Sequence, residues 1–298
     1  MKKIIFINKN RILKYREILI LILAFILLVL HEYIKSIEHY RVLVYTCCDE
    51  FYSHYIPIFC NGLLRMDKLK KIDIEIGVNI KKLSDNEEKA LQYLRKKYPQ
   101  SKIQIDYNSF VKNKSGVYYN NQLFKIGSIR FVIQPRIKNK YVYISDVDIL
   151  VLVNNFYLEL IDDMKRRKKC YSNIQRINTL RLTGLHFIKY DSYYPIPVLN
   201  NTSILDEILL YNIMKAKGIK IDNYTQYRPV FGIHLSPSRP NVGSYAKTVG
   251  WGADNYKFQW LDYMKSEDFK FIYPLLDSTI INKIKKLNKF FAIDQINI

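Results

Sequence analysis

Two aspartates in this chain stand where a charge needs a reason. Tyr141 to Ser145 (YVYIS) runs directly into Asp146-Val147-Asp148, and Ile149 to Val153 (ILVLV) follows at once. In an extended chain, residues i and i+2 project to the same side. Both carboxylates therefore face one way, between two apolar runs where an unpaired charge is costly. A divalent cation is the simplest compensation. Mg2+ or Mn2+ takes carboxylate oxygens and keeps positions open for the oxygens of a substrate phosphate. The alternative is a capped turn with solvated aspartates.

Such a pair must be held by elements around it. Arg41 to Cys47 (RVLVYTC) is a short β-rich run, and Asp49 to Arg65 carries Tyr52, Ile56, Phe59 and Leu63 at helical spacing. Lys71 to Val78 alternates as a strand does, Ser84 with Glu87 forms a capping box opening a helix with Leu91 and Leu94, and Lys102 to Tyr107 is a third strand. Helix and strand patterns alternate here, which predicts an α/β fold with a mainly parallel, Rossmann-like sheet flanked by helices. In such open sheets ligands bind beyond the carboxyl ends of the strands, which is where an aspartate pair closing a strand would lie.

The 298 residues carry 47 basic and 27 acidic side chains, a net charge of +20. An anionic partner fits that balance, and codon bias toward Lys, Ile, Asn and Tyr is the alternative. No zinc-finger spacing, long basic tract or RNA-binding aromatic signature is present, so a nucleic-acid partner is not expected. The 49% apolar content excludes a disordered polyelectrolyte. Lys2, Lys3, Lys9, Arg11, Lys14 and Arg16 precede an unbroken apolar run, Ile18 to Leu30. That reads as a basic tail and membrane anchor over residues 1–40. The run falls short of the roughly 17–25 residues of a span, which favours a segment lying in the bilayer surface with the catalytic domain on the cytoplasmic face. A single-pass type II protein with a lumenal domain is the alternative. Residues 41–277 form the expected catalytic domain. Residues 278–298, with Ile280, Ile281, Ile284, Leu287, Phe290 and Phe291 set among Lys283, Lys285, Lys286 and Lys289, read as a basic amphipathic helix suited to a membrane surface, or as a helix packed on the domain.

Arg130-Phe131-Val132-Ile133-Gln134-Pro135 followed by Tyr143-Ile144-Ser145-Asp146-Val147-Asp148-Ile149-Leu150-Val151 resembles GT-A fold nucleotide-sugar glycosyltransferases of the glycogenin and lipopolysaccharide-galactosyltransferase type. The resemblance implies that Asp146 and Asp148 hold a metal bridging the donor diphosphate, that Arg130 lies near the nucleotide or its phosphates, and that Thr46 and Asp49 line the nucleotide pocket. His234-Leu235-Ser236-Pro237-Ser238-Arg239-Pro240 is similar to the family's metal-binding His followed by a basic residue and Pro. It implies His234 as a third ligand and Arg239 beside the leaving diphosphate. Thr183-Gly184-Leu185 resembles a stretch that contacts the donor sugar, with Leu182 where Asn is usual. Asp206-Glu207 resembles an Asp-Gln pair, and implies Asp206 on the sugar hydroxyls and Glu207 as a carboxylate able to stabilise or attack an oxocarbenium ion.

The resemblance thus implies a retaining, metal-dependent enzyme moving a sugar from a nucleoside-diphosphate sugar to a saccharide acceptor of a surface glycan or glycolipid. Two rival readings remain: a non-catalytic anchored binding protein with a degenerate site, motivated by Leu182 and Pro237, and a phosphatase of the haloacid dehalogenase type, which also places Asp-x-Asp after an apolar strand.

Overall fold

The computed structural model describes residues 17–29, 40–173, 179–199, 204–222, 231–235 and 255–293. The chain divides into two units, residues 1–40 and 41–298. In the first, residues 17–29 form a helix, α1, whose apolar side chains are exposed. Its 13 described residues reach about 20 Å at about 1.5 Å each, against a hydrocarbon core of about 30 Å. No helix among the described residues is long and apolar enough to cross a membrane.

The second unit is built on a six-stranded sheet. In chain order its members are β1 (Val42–Cys48), β2 (Ile72–Val78), β3 (Ile103–Asp106), β7 (Tyr141–Ile144), β9 (Tyr171–Ser172) and β10 (His186–Lys189), and the spatial order is β3-β2-β1-β7-β10-β9. The first four run parallel; β10 pairs antiparallel with β7, and β9 antiparallel with β10. A hairpin sheet of β4 (Val111–Asn113), β5 (Gly116–Tyr119) and β6 (Gln122–Phe124) follows β3. A separate two-stranded ladder pairs β8 (Ile149–Val151) with β11 (Gly232–His234).

Every residue of β1 and β2 is buried, as a parallel strand covered on both faces should be. The alternation of β2 nevertheless survives inside, because each acid finds partners. Asp73 accepts from Arg41 at 2.6 and 2.7 Å and from the Lys102 amide at 2.8 Å; Glu75 accepts from the amides of Arg136 and Ile137 at 2.7 and 2.8 Å. Burial pushes Asp73 upward, but the Arg41 bonds and the other donors outweigh it and hold the carboxyl below its ordinary range.

Helix α2 (Ile56–Met66) begins later than its periodicity suggests, after a 3-10 turn at Ser53–Tyr55. Pro57 in its first turn, where a missing N–H costs nothing, sets that start. Helix α3 (Asp85–Lys97) opens on the expected capping box: Ser84 accepts from the Glu87 amide, and Glu87 accepts from the Ser84 amide at 2.8 Å. Helices α4 (Tyr157–Arg167), α5 (Tyr190–Tyr193), α6 (Asp206–Ala216), α7 (Lys257–Lys265), α8 (Glu267–Ile272) and α9 (Ser278–Phe290) complete the unit. Helix α9 buries Ile280, Ile284 and Leu287 in the domain. Its apolar face is core, as in the alternative of a helix packed on the domain. Trp260 is likewise core, with its indole N–H donating to Asn288 of α9 at 2.9 Å.

Candidate metal and donor site

Strand β7 lies between β1 and β10, and the Ser145 amide donates to the Tyr45 carbonyl at 3.0 Å, extending the pairing with β1 to the edge of the acidic pair. Asp146 and Asp148 therefore emerge at the carboxyl end of the mid-sheet strand. Their third partner comes from far along the chain. In the β8–β11 ladder His234 stands opposite Ile149, and the Leu235 amide donates to the Asp148 carbonyl at 2.7 Å. The His234 Nε2 then lies 3.5 Å from Asp148 Oδ1 and 3.8 Å from Asp146 Oδ2, and one ligand atom from each of the three falls within 4.8 Å of the others. Two carboxylate oxygens and an imidazole nitrogen suit Mn2+ or Mg2+. Asp148 is 5% exposed; burial raises its pKa, the His234 charge opposes that rise, and Asp146 adds to it. A divalent ion between these ligands would favour the ionised forms, so the residues present fit such a group.

The ladder leaves no slack at Gly232. A Cβ there would lie 1.8 Å from the Leu150 carbonyl oxygen, which is backbone and cannot swing aside. Gly232→Ala must push β11 off β8 and carry His234 with it. We expect a loss of about 1–3 kcal/mol in stability, typical of overpacking, and Mn2+ affinity weakened by about 10–100-fold. Urea unfolding and Mn2+ titration of the folded variant would check both; unchanged Mn2+ affinity would refute this placement of His234.

Arg130 lies in the last turn of the 3-10 segment Ile126–Phe131 and is 6% exposed, its guanidinium 4.6 Å from the Phe131 ring. Its Nη2 lies 2.8 Å from Asp146 Oδ1 as an ion pair and donates to Asp206 Oδ2 at 3.3 Å. Asp206 opens α6, where a carboxylate suits the helix dipole. Gly184 lies at this junction: a Cβ on it would stand 2.9 Å from Arg130 Nη2, 3.8 Å from Asp146 Oδ2 and 4.0 Å from Asp206 Oδ2. Glu207 is half-buried beside Asp206, and its carbonyl accepts from the Leu182 amide at 3.2 Å, tying the Gly184 stretch to the start of α6. Asp146, Asp148, His234, Arg130, Asp206 and Gly184 are thus brought together from sequence positions up to 104 residues apart.

Two expected pocket residues sit differently. Thr46 is fully buried and shares the β1 face of Val42 and Val44, opposite the cluster holding Leu43, Tyr45, Cys47 and Phe131. Strand alternation therefore turns its hydroxyl away from Arg130. Asp49 lies just beyond β1 but is locked to Lys112 Nζ at 2.6 Å. Arg239 lies outside the described residues.

Sequence reasoning missed Asn173, which staples the Gly184 stretch. Its side chain accepts from the Thr183 amide and hydroxyl at 3.2 and 2.7 Å, and its amide nitrogen donates to the Thr183 carbonyl at 3.0 Å. The same nitrogen lies 2.9 Å from His186 Nδ1. His186 is fully buried, and burial pushes its pKa down to about 3. The unfolded chain takes up that proton near pH 6.5. Between these values the unfolded state binds more protons, so the stability from a neutral His186 is complete above about pH 6.5 and is lost as pH falls, by up to about 1.4 kcal/mol per unit. The urea midpoint should drop from pH 7.5 to 5, and His186→Gln should flatten that slope; equal slopes would remove His186 as the cause.

No protein-family model matches the chain, and no curated protein does. Among solved structures it is similar to the glycosyltransferase GlyE of Streptococcus pneumoniae TIGR4, at 12% identity over 52% of this chain and 35% of that one, with a TM-score of 0.35. It is also similar to the galactosyltransferase LgtC in complex with donor and acceptor sugar analogues, at 13% identity over 77% of this chain and 99% of that one, with a TM-score of 0.41. A third is the mannosyltransferase PcManGT from Pyrobaculum calidifontis in complex with GDP-Man and Mn2+, at 13% identity over 87% and 77% of the two chains, with a TM-score of 0.44. The chain spans about a third of the length of GlyE and of the bifunctional glycosyltransferase WbbM, 35% and 32% respectively. The six-stranded sheet flanked by helices makes this an α/β fold, with the Asp-x-Asp at the carboxyl end of β7.

Proposed function

We propose that the protein is a metal-dependent glycosyltransferase that moves a sugar from a nucleoside-diphosphate sugar to a saccharide hydroxyl of a surface glycan or glycolipid, with retention at the anomeric carbon. The observation that carries this reading is the convergence of Asp146, Asp148 and His234 at the carboxyl end of β7 with the Arg130–Asp206 pair beside them. Asp146, Asp148 and His234 would hold the cation, which when bound would supply positive charge to the donor diphosphate. Arg130 fixes Asp146 and Asp206 relative to each other, so the ligand set and the carboxylate proposed for the sugar hydroxyls share one anchor. Gly184 leaves room for a donor where any side chain would meet Arg130. Glu207 offers a carboxylate to a developing oxocarbenium ion, the role on which retention depends.

Attachment to a membrane surface, with the domain on the cytoplasmic face, is part of the same proposal. The exposed apolar α1 after six basic residues supports it. The test of the activity is donor hydrolysis and thermal stabilisation across UDP-, GDP- and CMP-sugars with Mn2+ or Mg2+. One donor should turn over, stop with EDTA and resume with Mn2+. No stabilisation and no turnover with any donor would overturn the reading.

A further inference from the structure

A Cβ on Gly184 would meet Arg130 Nη2 at 2.9 Å, so the backbone of the Thr183–Leu185 stretch lies against the guanidinium that joins Asp146 and Asp206. Asn173, the residue after β9, fixes where that backbone lies. The Thr183 amide can only donate and the Thr183 carbonyl can only accept. The first is 3.2 Å from the Asn173 side-chain oxygen and the second 3.0 Å from its nitrogen, which settles which way the side-chain amide is turned. The oxygen also accepts from the Thr183 hydroxyl at 2.7 Å. The nitrogen has one hydrogen left, and His186 Nδ1 stands 2.9 Å away. Nδ1 must therefore accept, and the neutral imidazole carries its proton on Nε2. Asn173, Thr183 and His186 are 8%, 5% and 0% exposed, so water is poorly placed to replace a lost bond. One planar amide thus holds Thr183 through three bonds and is itself held by a strand residue of β10.

We propose that Asn173 is a positioning residue for the transferred sugar: by clamping Thr183 it sets how closely the Gly184 backbone approaches the Arg130–Asp146–Asp206 junction, and so the geometry in which the sugar is held. This rests on the glycosyltransferase reading above. Asn173 bonds to the stretch proposed for the sugar and not to the metal ligands. Its loss should therefore separate two quantities. Turnover, which depends on where the sugar sits, falls; binding of Mn2+ and of a nucleoside diphosphate, which carries no sugar beyond its ribose, does not.

The experiment measures kcat for hydrolysis of whichever sugar nucleotide the wild type turns over, with calorimetric titration of UDP, GDP and Mn2+, on the full chain well below its melting temperature. The variants are Asn173→Ala, Asn173→Asp and Thr183→Val. Asn173→Asp keeps the shape and the two acceptor bonds but cannot donate to the Thr183 carbonyl or to His186. Thr183→Val removes only the hydroxyl bond. Tyr157→Phe is the control, since it removes a buried hydrogen bond to Asp67, 2.8 Å long, elsewhere in the domain. Both Asn173 variants should lose about 10–100-fold in kcat, as when a reacting group is misplaced, with nucleoside-diphosphate and Mn2+ affinity unchanged. Thr183→Val should lose less, and Tyr157→Phe should melt earlier with kcat intact. Asn173 variants that melt earlier but keep the wild-type kcat would overturn the assignment and leave the enzyme reading intact, as would an equal loss of kcat in Tyr157→Phe. Should the Asn173 variants not fold, Thr183→Val decides, and an unchanged kcat there would overturn the assignment. A wild-type protein that turns over no donor would overturn both.

Discussion

Replacing Asp148 with asparagine should lower metal-dependent donor turnover by about 10³-fold or more while leaving the fold intact. The first half follows from geometry: Asp148 supplies one of three converging ligand atoms, 3.5 Å from His234 Nε2. Losing a charged ligand removes several kcal/mol of stabilisation for charge growing on the diphosphate, at about 1.4 kcal/mol per tenfold. The second half follows from burial. Asp148 is 5% exposed, and burial raises its pKa, which marks a carboxylate that costs free energy in the apo protein. The amide keeps the shape and sheds the charge, and the Asp148 backbone carbonyl still accepts from Leu235. The melting temperature should hold or rise as activity collapses. A variant that retained turnover would contradict the ligand assignment; one that unfolded would mean the pair is structural.

Arg130→Met should do the opposite, costing stability and activity together. The methionine fills the space over Phe131 but leaves Asp146 and Asp206 without their shared donor. Breaking a fully buried pair costs about 3–5 kcal/mol. The side chains of Asp146 and Asp206 are 22% and 33% exposed, so a discounted loss of about 2–3 kcal/mol is expected. In a domain of this size that is a fall of about 4–12 °C in melting temperature. Donor turnover should fall by about 10²–10³-fold, as when a preorganised donor is removed. Binding of Mn2+ alone should not weaken through charge, because a nearby cation has been taken away. Arg130→Lys should recover little, since a strongly hydrated ammonium does not reproduce the planar guanidinium held over the Phe131 ring. Unchanged stability and turnover in Arg130→Met would show the pair to be incidental.

Much of the site was legible in the sequence because its strongest signal is local. A polar Asp-x-Asp interrupting an apolar strand is a charge in the wrong place, and its compensation could be anticipated before the fold was known. The β-rich runs before it also read correctly, since burial on both faces leaves continuous apolar strands. Resemblance, rather than spacing, supplied His234, Asp206 and Gly184. What escaped was whatever depends on tertiary placement. Asn173 has no local signature, and it matters only because the chain returns to Thr183 and His186. Thr46 lies on the β1 face of Val42 and Val44, and the short run did not say which face that would be. The C-terminal helix was left between a membrane surface and the domain, because helical spacing shows that a helix is amphipathic but not what covers it; the domain core covers the apolar face of α9.

The most direct test is electron paramagnetic resonance of Mn2+ titrated into the wild-type protein, Asp148→Asn and His234→Ala, with and without nucleoside diphosphate. One tightly bound Mn2+ per chain should form in wild type, strengthen with nucleotide, and be lost in both variants. A Mn2+ signal that remains free in wild type under all these conditions, or that binds equally in all three proteins, would contradict a cation at the end of β7.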